Sequence, residues 1–220
     1  MLDVHPPEHT PHTWRDFFIH IATIVLGLLI AIGLEQTVEY LHHLHQAREA
    51  RDRIHTEVEV NQRICQEDLR QIDSFIAHLR QNLAVIDSPA AKGSAISPAL
   101  DFELQSQGFY SAALNSARDS GALARLPYDE SAMYSDAYLE GDHTTEAVFG
   151  AFKKAYAAKS ILRDRPLSAL SPAEIQSLSA ATAAALGQAE FLKLNLEISQ
   201  QEWDAVRTER FRNDIGATLK

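Results

Sequence analysis

One cysteine and two methionines in 220 residues leave several kinds of chemistry without material. A lone cysteine excludes a disulfide framework and any zinc site built from several thiolates. Basic side chains are also scarce, 20 against 30 acidic, for a net charge of −10 and a pI near 5.4. Nucleic acid is therefore not an expected partner, because phosphate backbones bind basic surfaces. The chain lacks a P-loop, G-x-G-x-x-G, G-x-S-x-G, H-E-x-x-H and an EF-hand loop. No cofactor and no catalytic residue is assigned on that basis. Glycine and proline are absent from Leu34 to Ser88, so nothing interrupts a helix there. Alternating strand patterns are not evident either, and the expected fold class is all-α.

The most distinctive feature that is present is apolar. Phe17 to Leu34 reads FFIHIATIVLGLLIAIGL, 18 residues without a charge. At 1.5 Å per residue such a helix covers about 27 Å, close to the ~30 Å hydrocarbon core of a bilayer. Its twelve Leu, Ile, Val and Phe residues favour insertion by about 4–7 kcal/mol at most. Trp14 and Tyr40 flank the run as interfacial aromatics, and Asp16 and Glu35 bracket it with charge. The expected partner is the lipid bilayer. Two rivals are a buried core helix and a cleaved signal peptide with Ala31 and Gly33 at the −3 and −1 positions. The first is disfavoured because the run is apolar on all sides. The second is disfavoured by an acidic, lysine-free N-terminal region and the lack of a polar stretch before the site. Gly27 and Ala31 share one helix face, which permits close approach of another helix in lipid. One Lys/Arg before the span against three some distance after it leaves the side of the C-terminal domain open.

The domain plan follows from composition. Residues 1–13, with three prolines and three histidines, read as a disordered tail. Residues 14–40 are the transmembrane helix with its interfacial flanks, 41–212 a helical bundle, and 213–220 a second tail. After the span, Val58, Cys65, Ile72, Leu79 and Ile86 recur every seven residues and form a seam. The companion row is broken by Asn61, Asp68 and Asn82. A two-stranded coiled coil rarely accepts that many polar core positions, so the pattern suits a helix packed on two neighbours. The three polar residues either fix register against a partner or face solvent at the bundle edge. Cys65 reads as a small core side chain that could cross-link two copies of a parallel dimer.

Beyond a Ser/Pro/Gly linker at 88–97, Ser97-Pro98 predicts a helix start with Leu100, Leu104, Tyr110 and Leu114 on one side. It should fade near Gly121. A short helix is expected from Tyr128 to Leu139, broken at Gly141-Asp142, then another from Thr145 to Leu162. Ser171-Pro172-Ala173-Glu174 is a capping box that starts the last helix, expected to run to about 212. The two long helices, 35–87 and 172–212, should pair antiparallel, with three shorter helices completing the bundle.

Eight of the ten histidines fall in the first 55 residues. His42, His43 and His45 follow the span, with Glu39 and Glu49 at helical spacing, a candidate belt for a divalent metal or for pH sensing. One helix alone does not supply the four ligands of a structural zinc site.

Trp14-Arg15-x-Phe17-Phe18 and the stretch GLLIAIGLEQTVEYLHH from Gly27 to His43 resemble the start of a group of uncharacterised bacterial single-pass membrane proteins. SGALARLP (120–127) and Tyr134-Ser135-x-x-Tyr138 look like a second shared stretch. The resemblance implies a bacterial inner-membrane location and a helical extramembrane domain, with no activity attached. Together these features describe a membrane-anchored helical protein that associates with itself or with another protein. A sensor or accessory subunit using the histidine belt is the alternative, and a membrane-bound enzyme a third.

Overall fold

A computed structural model describes residues 14–88 and 99–218, with side chains through Thr208. The chain divides into two compact units at Arg48 and Glu49. Among the described residues there are helices and no strand: α1 (Trp14–Ile86), α2 (Ala112–Asp119), α3 (Tyr128–Leu162) and α4 (Pro172–Thr218). Single 3-10 turns at Leu123–Arg125 and Leu167–Ala169 precede α3 and α4. The tail at 1–13, most of the linker and the Ser97-Pro98 pair lie outside the described residues.

In the first unit, every residue from Trp14 to Leu41 is exposed. Ile24 and Val38 are both 68% accessible. None of the side chains in the most apolar 18-residue window is buried, which removes the core-helix reading. The helix satisfies its own hydroxyls: Thr23 donates to the Ile19 carbonyl at 2.8 Å and Thr37 to that of Gly33 at 2.7 Å. Such back-bonding satisfies both threonine hydroxyl donors on a helix surface made mostly of apolar side chains.

The second unit is a bundle of α1 from Glu49 onward, α3 and α4. Val58, Cys65, Ile72, Leu79 and Ile86 are all buried. α4 runs antiparallel to this part of α1, as expected. Its descending partners are Asp204 for Gln62, Lys193 for Asp73, Glu190 for Arg80 and Ser179 for Asp87. α3 runs parallel to α1, with Glu130 against Arg51 and Tyr138 against Glu57. Two helices joined in sequence lie parallel only if the chain returns between them, and residues 99–111 make that return.

This return corrects the helix predicted from Ser97-Pro98. Residues 99–111 are extended, and α2 starts only at Ala112. Distance decides the matter. Asn82 holds Asp101 and Asn61 holds Tyr110. The 21 residues between the two asparagines rise about 32 Å as helix, and the nine residues from Asp101 to Tyr110 span about 30 Å only if extended. Coiled into a helix they would reach about 14 Å. Burial alternates along this strap: Phe102 and Leu104 are inside, Asp101, Glu103 and Gln105 outside.

The break predicted at Gly141-Asp142 is also corrected, because α3 is continuous from Tyr128 to Leu162. Gly141 lies inside the helix under the indole of Trp203. A Cβ there would come within 2.8 Å of Trp203 Cζ2. The glycine admits a large side chain from α4 and does not end the helix. α4 starts on the expected capping box: Ser171 Oγ accepts from Glu174 N at 3.3 Å, and Glu174 Oε2 accepts from Ser171 N at 2.8 Å. The Arg165 guanidinium and the two Ser171 donors hold the Glu174 carboxyl down at about 2. The helix continues past 212 to Thr218.

Candidate functional site

The predicted seam polar residues neither meet a second chain nor face solvent. Asn61, Asp68 and Asn82 are buried and grip the main chain of the strap. Asn61 Nδ2 donates to the Tyr110 carbonyl at 2.8 Å, and its Oδ1 accepts from Tyr110 N at 2.9 Å. Asn82 does the same for Asp101, accepting from its N–H at 3.1 Å and donating to its carbonyl. Each side-chain amide pairs with a peptide group as a neighbouring strand would. Between them Asp68 Oδ2 accepts from Ser106 Oγ at 2.7 Å and Gln107 N at 3.3 Å. Glu57 accepts from Ala113 N at 3.0 Å, and Thr145 Oγ1 on α3 accepts from Phe109 N at 3.0 Å.

Burial raises the Asp68 carboxyl above its ordinary range, outweighing the bonds from Ser106 and Gln107. Its contribution to stability is therefore full below the ordinary carboxylate range and is lost as pH rises through the raised value. Asp68→Asn keeps an acceptor for both donors and removes the buried charge. The variant should be more stable than the parent at pH 7 and lose that advantage near pH 4, measured by denaturant unfolding at both pH values.

A second cluster lies beside the start of α3. Arg51 clamps Glu130 through Nε at 2.6 Å and Nη2 at 2.8 Å. Tyr134 donates its hydroxyl hydrogen to Glu130 Oε1 at 2.8 Å, and its oxygen lies 2.9 Å from His55 Nε2. The phenol has one hydrogen, so His55 Nε2 is the donor in that contact. One turn on, Tyr138 donates to Glu57 Oε1 at 2.8 Å, tying this cluster to the first turn of α2 through Ala113 N. Burial raises the Glu130 carboxyl, but the bonds from Arg51 and Tyr134 outweigh it and hold it below its usual range. Burial and the neighbouring carboxylates push both phenols well above theirs. Tyr134 and Tyr138, 1% and 3% accessible, are thus permanent donors locked inside the bundle. The arrangement braces α1, α3 and the start of α2; it does not present an acid or base to solvent.

The Tyr134-Ser135-x-x-Tyr138 stretch owes its form to this brace, with both tyrosines facing in. SGALARLP forms the turn into α3: Gly121 takes φ +71° after α2, Leu126 is buried and Pro127 caps α3. Outside this turn Arg118, Leu123, Tyr128, Ser131 and Ser135 line an open cleft of about 440 Å³. Its serine hydroxyls donate to the Tyr128 and Ser131 carbonyls of α3.

Cys65 is fully buried and donates its thiol to the Leu196 carbonyl at 3.2 Å. Burial, with Asp68 and Asp204 nearby, pushes the thiol up to about 12. It packs α1 on α4 within one chain, so the predicted route to a cross-linked dimer is closed. The histidine belt is dispersed. His43 Nε2 lies 3.8 Å from Glu39 Oε1, His42 Nε2 is 2.9 Å from Gln46 Nε2, His45 is exposed, and Glu49 bonds Arg53 at 2.6 Å. Among the described residues no three His, Cys, Asp or Glu side chains gather to hold a metal. Gly27 and Ala31 lie on an open face; a Cβ on Gly27 would meet nothing within 4 Å.

The protein is thus an all-α bundle whose N-terminal helix includes a segment long and apolar enough to cross a membrane. No protein-family model, no curated protein and no solved structure matches the chain.

Proposed function

We propose that the chain is a single-pass membrane-anchored protein whose helical domain works by binding protein chains, its own included, and not by catalysis. The observation that carries the anchor is the unbroken exposure of residues 14–41, whose apolar side chains find no cover in the fold. A water-soluble surface does not carry so large an apolar patch. The resemblance of residues 14–18 and 27–43 to bacterial single-pass proteins supports an inner-membrane location. The absence of catalysis rests on the polar side chains of the bundle: those of α1 and α3 near the strap are spent on one another or on its main chain. The anchor is tested by alkaline extraction of membranes carrying the full chain. The protein should stay in the pellet, and Ile24→Arg with Leu28→Arg should release it, since each arginine at the helix centre costs about 2.5–3.5 kcal/mol. N-terminal sequencing should find a start ahead of Phe17; a start just after Gly33 would overturn the anchor in favour of a cleaved signal.

A further inference from the structure

The strap meets the bundle as a bound peptide meets its receptor. Among the described residues, no main-chain hydrogen bond joins 99–110 to another main chain. Side chains of α1 and α3 hold it instead: Asn82 on Asp101, Asp68 on Ser106 and Gln107, Thr145 on Phe109, and Asn61 on Tyr110. Asn82, Thr145 and Asn61 touch main-chain groups, which are common to nearly every residue, so they fix an extended chain without reading its sequence. Sequence is read at alternate positions, as the two-residue period of an extended chain requires. Phe102 and Leu104 are buried, and Ser106 gives its hydroxyl to Asp68 at 2.7 Å. At Gly108 a Cβ would fall 2.6 Å from Thr145 Cγ2. Thr145 is fixed in place, because its hydroxyl accepts from Phe109 N and donates to the Gly141 carbonyl at 2.9 Å. The intervening Asp101, Glu103, Gln105 and Gln107 are polar and exposed.

We infer that the face of α1 and α3 beneath the strap is a peptide-binding groove for an extended segment of a partner protein, of the pattern apolar-x-apolar-x-Ser-x-Gly, and that the strap is the intramolecular competitor that keeps it closed. The inference rests on the reading of the domain as a binder of protein chains and names its site. The strap shows which occupant fits: a main chain in extended form, two apolar side chains, a hydroxyl for Asp68, and no Cβ against Thr145. The helices hold one another without it. Arg51–Glu130 joins α1 to α3, Cys65 joins α1 to the Leu196 carbonyl of α4, and Thr144–Ser199 joins α3 to α4 at 2.8 Å. The groove therefore keeps its walls when the strap leaves. Tethered at both ends, the strap competes at high effective concentration, and a free segment enters only in its absence.

The probe is a labelled, end-blocked peptide of residues 100–110, LDFELQSQGFY, added to the full chain in detergent and followed by fluorescence anisotropy. Phe102→Ser with Leu104→Ser removes the strap's own anchors and leaves the groove intact. Leu104→Ala is the milder opening if circular dichroism shows that the double variant loses helix. The opened chain should bind the peptide saturably, about tenfold or more tighter than the parent, which must first release its strap. Adding Asn61→Leu to the opened chain should weaken binding about tenfold or more, since both polar groups of one peptide unit lose their partners. A scrambled peptide, and one carrying Gly108→Leu, should not compete. No saturable binding to any folded form, equal binding of the scrambled peptide, or equal affinity in parent and opened chains would each overturn the groove. A dimeric parent that the peptide converts to monomers would make a second copy's strap the occupant and overturn the assignment to a partner. An opened, folded chain that ignores the peptide yet cross-links to itself or to another membrane protein would overturn the groove and leave the binding reading standing.

Discussion

Trp203→Ala should lower the unfolding free energy by about 3–5 kcal/mol, the usual cost of emptying a large aromatic site in a core. The indole is fully buried where α4, α3 and the strap meet, with Tyr138 and Phe109 edge-on at 5.2 and 5.8 Å. Its Nε1 has no hydrogen-bond partner among the described residues, so the site is held by packing alone. Gly141 makes the argument sharper. Gly141→Ala forces a Cβ within 2.8 Å of the ring and should destabilise the parent, because overpacking costs about 1–3 kcal/mol. In the Trp203→Ala background the same change should stabilise, since only the helical advantage of alanine over glycine, about 1 kcal/mol, remains. A double-mutant cycle by chemical denaturation reads that reversal of sign directly. Independent, additive effects would show that Gly141 is not there to admit the indole.

Asn61→Leu is the second large effect. The side chain is fully buried and holds both polar groups of the Tyr110 peptide. Leucine fills a similar volume but leaves the Tyr110 N–H and C=O without these partners, for a loss of about 1–3 kcal/mol. The loss should be local. Amide exchange at Tyr110 and its strap neighbours should accelerate strongly, while amides of α4 around Leu192 keep their protection. Uniform acceleration across the bundle would mean that the strap and the helices open as one unit and that Asn61 has no special hold on the return segment.

These two positions also mark where sequence reading succeeds and where it stops. The seven-residue row from Val58 to Ile86 announces a buried seam because helix periodicity is a local property, and α4 declares its own start through Ser171 and Glu174. Gly141 misleads because a glycine written in sequence looks the same whether it ends a helix or makes space for a tryptophan 62 residues away. The strap was legible in part. Phe102, Leu104 and Ser106 alternate with Glu103, Gln105 and Gln107, a two-residue period that the Ser-Pro signal ahead of it outweighs. Nothing local states that Asn61 and Asn82 match the pitch of a helix to the pitch of an extended chain. The Arg51–Glu130–Tyr134–His55 brace is equally hidden, since the bonds that join its two helices link residues 79 apart along the chain. The Tyr134-Ser135-x-x-Tyr138 spacing, which puts two tyrosines on one helix face, was the only local pointer to it.

The antiparallel match between α1 and α4 has a consequence in time. Gln62 and its partner Asp204 are 142 residues apart. At about 5–20 residues per second of synthesis, Gln62 is made roughly 7–28 s before its partner on α4. A growing chain must carry Val58, Cys65, Ile72, Leu79 and Ile86 through that interval with their final neighbour still unmade. The strap and α3 are made sooner, so partial shelter comes in the order strap, α3, α4. For an all-helical protein this is a late closure, and its folding rate should fall below that of bundles whose helices are joined by short turns.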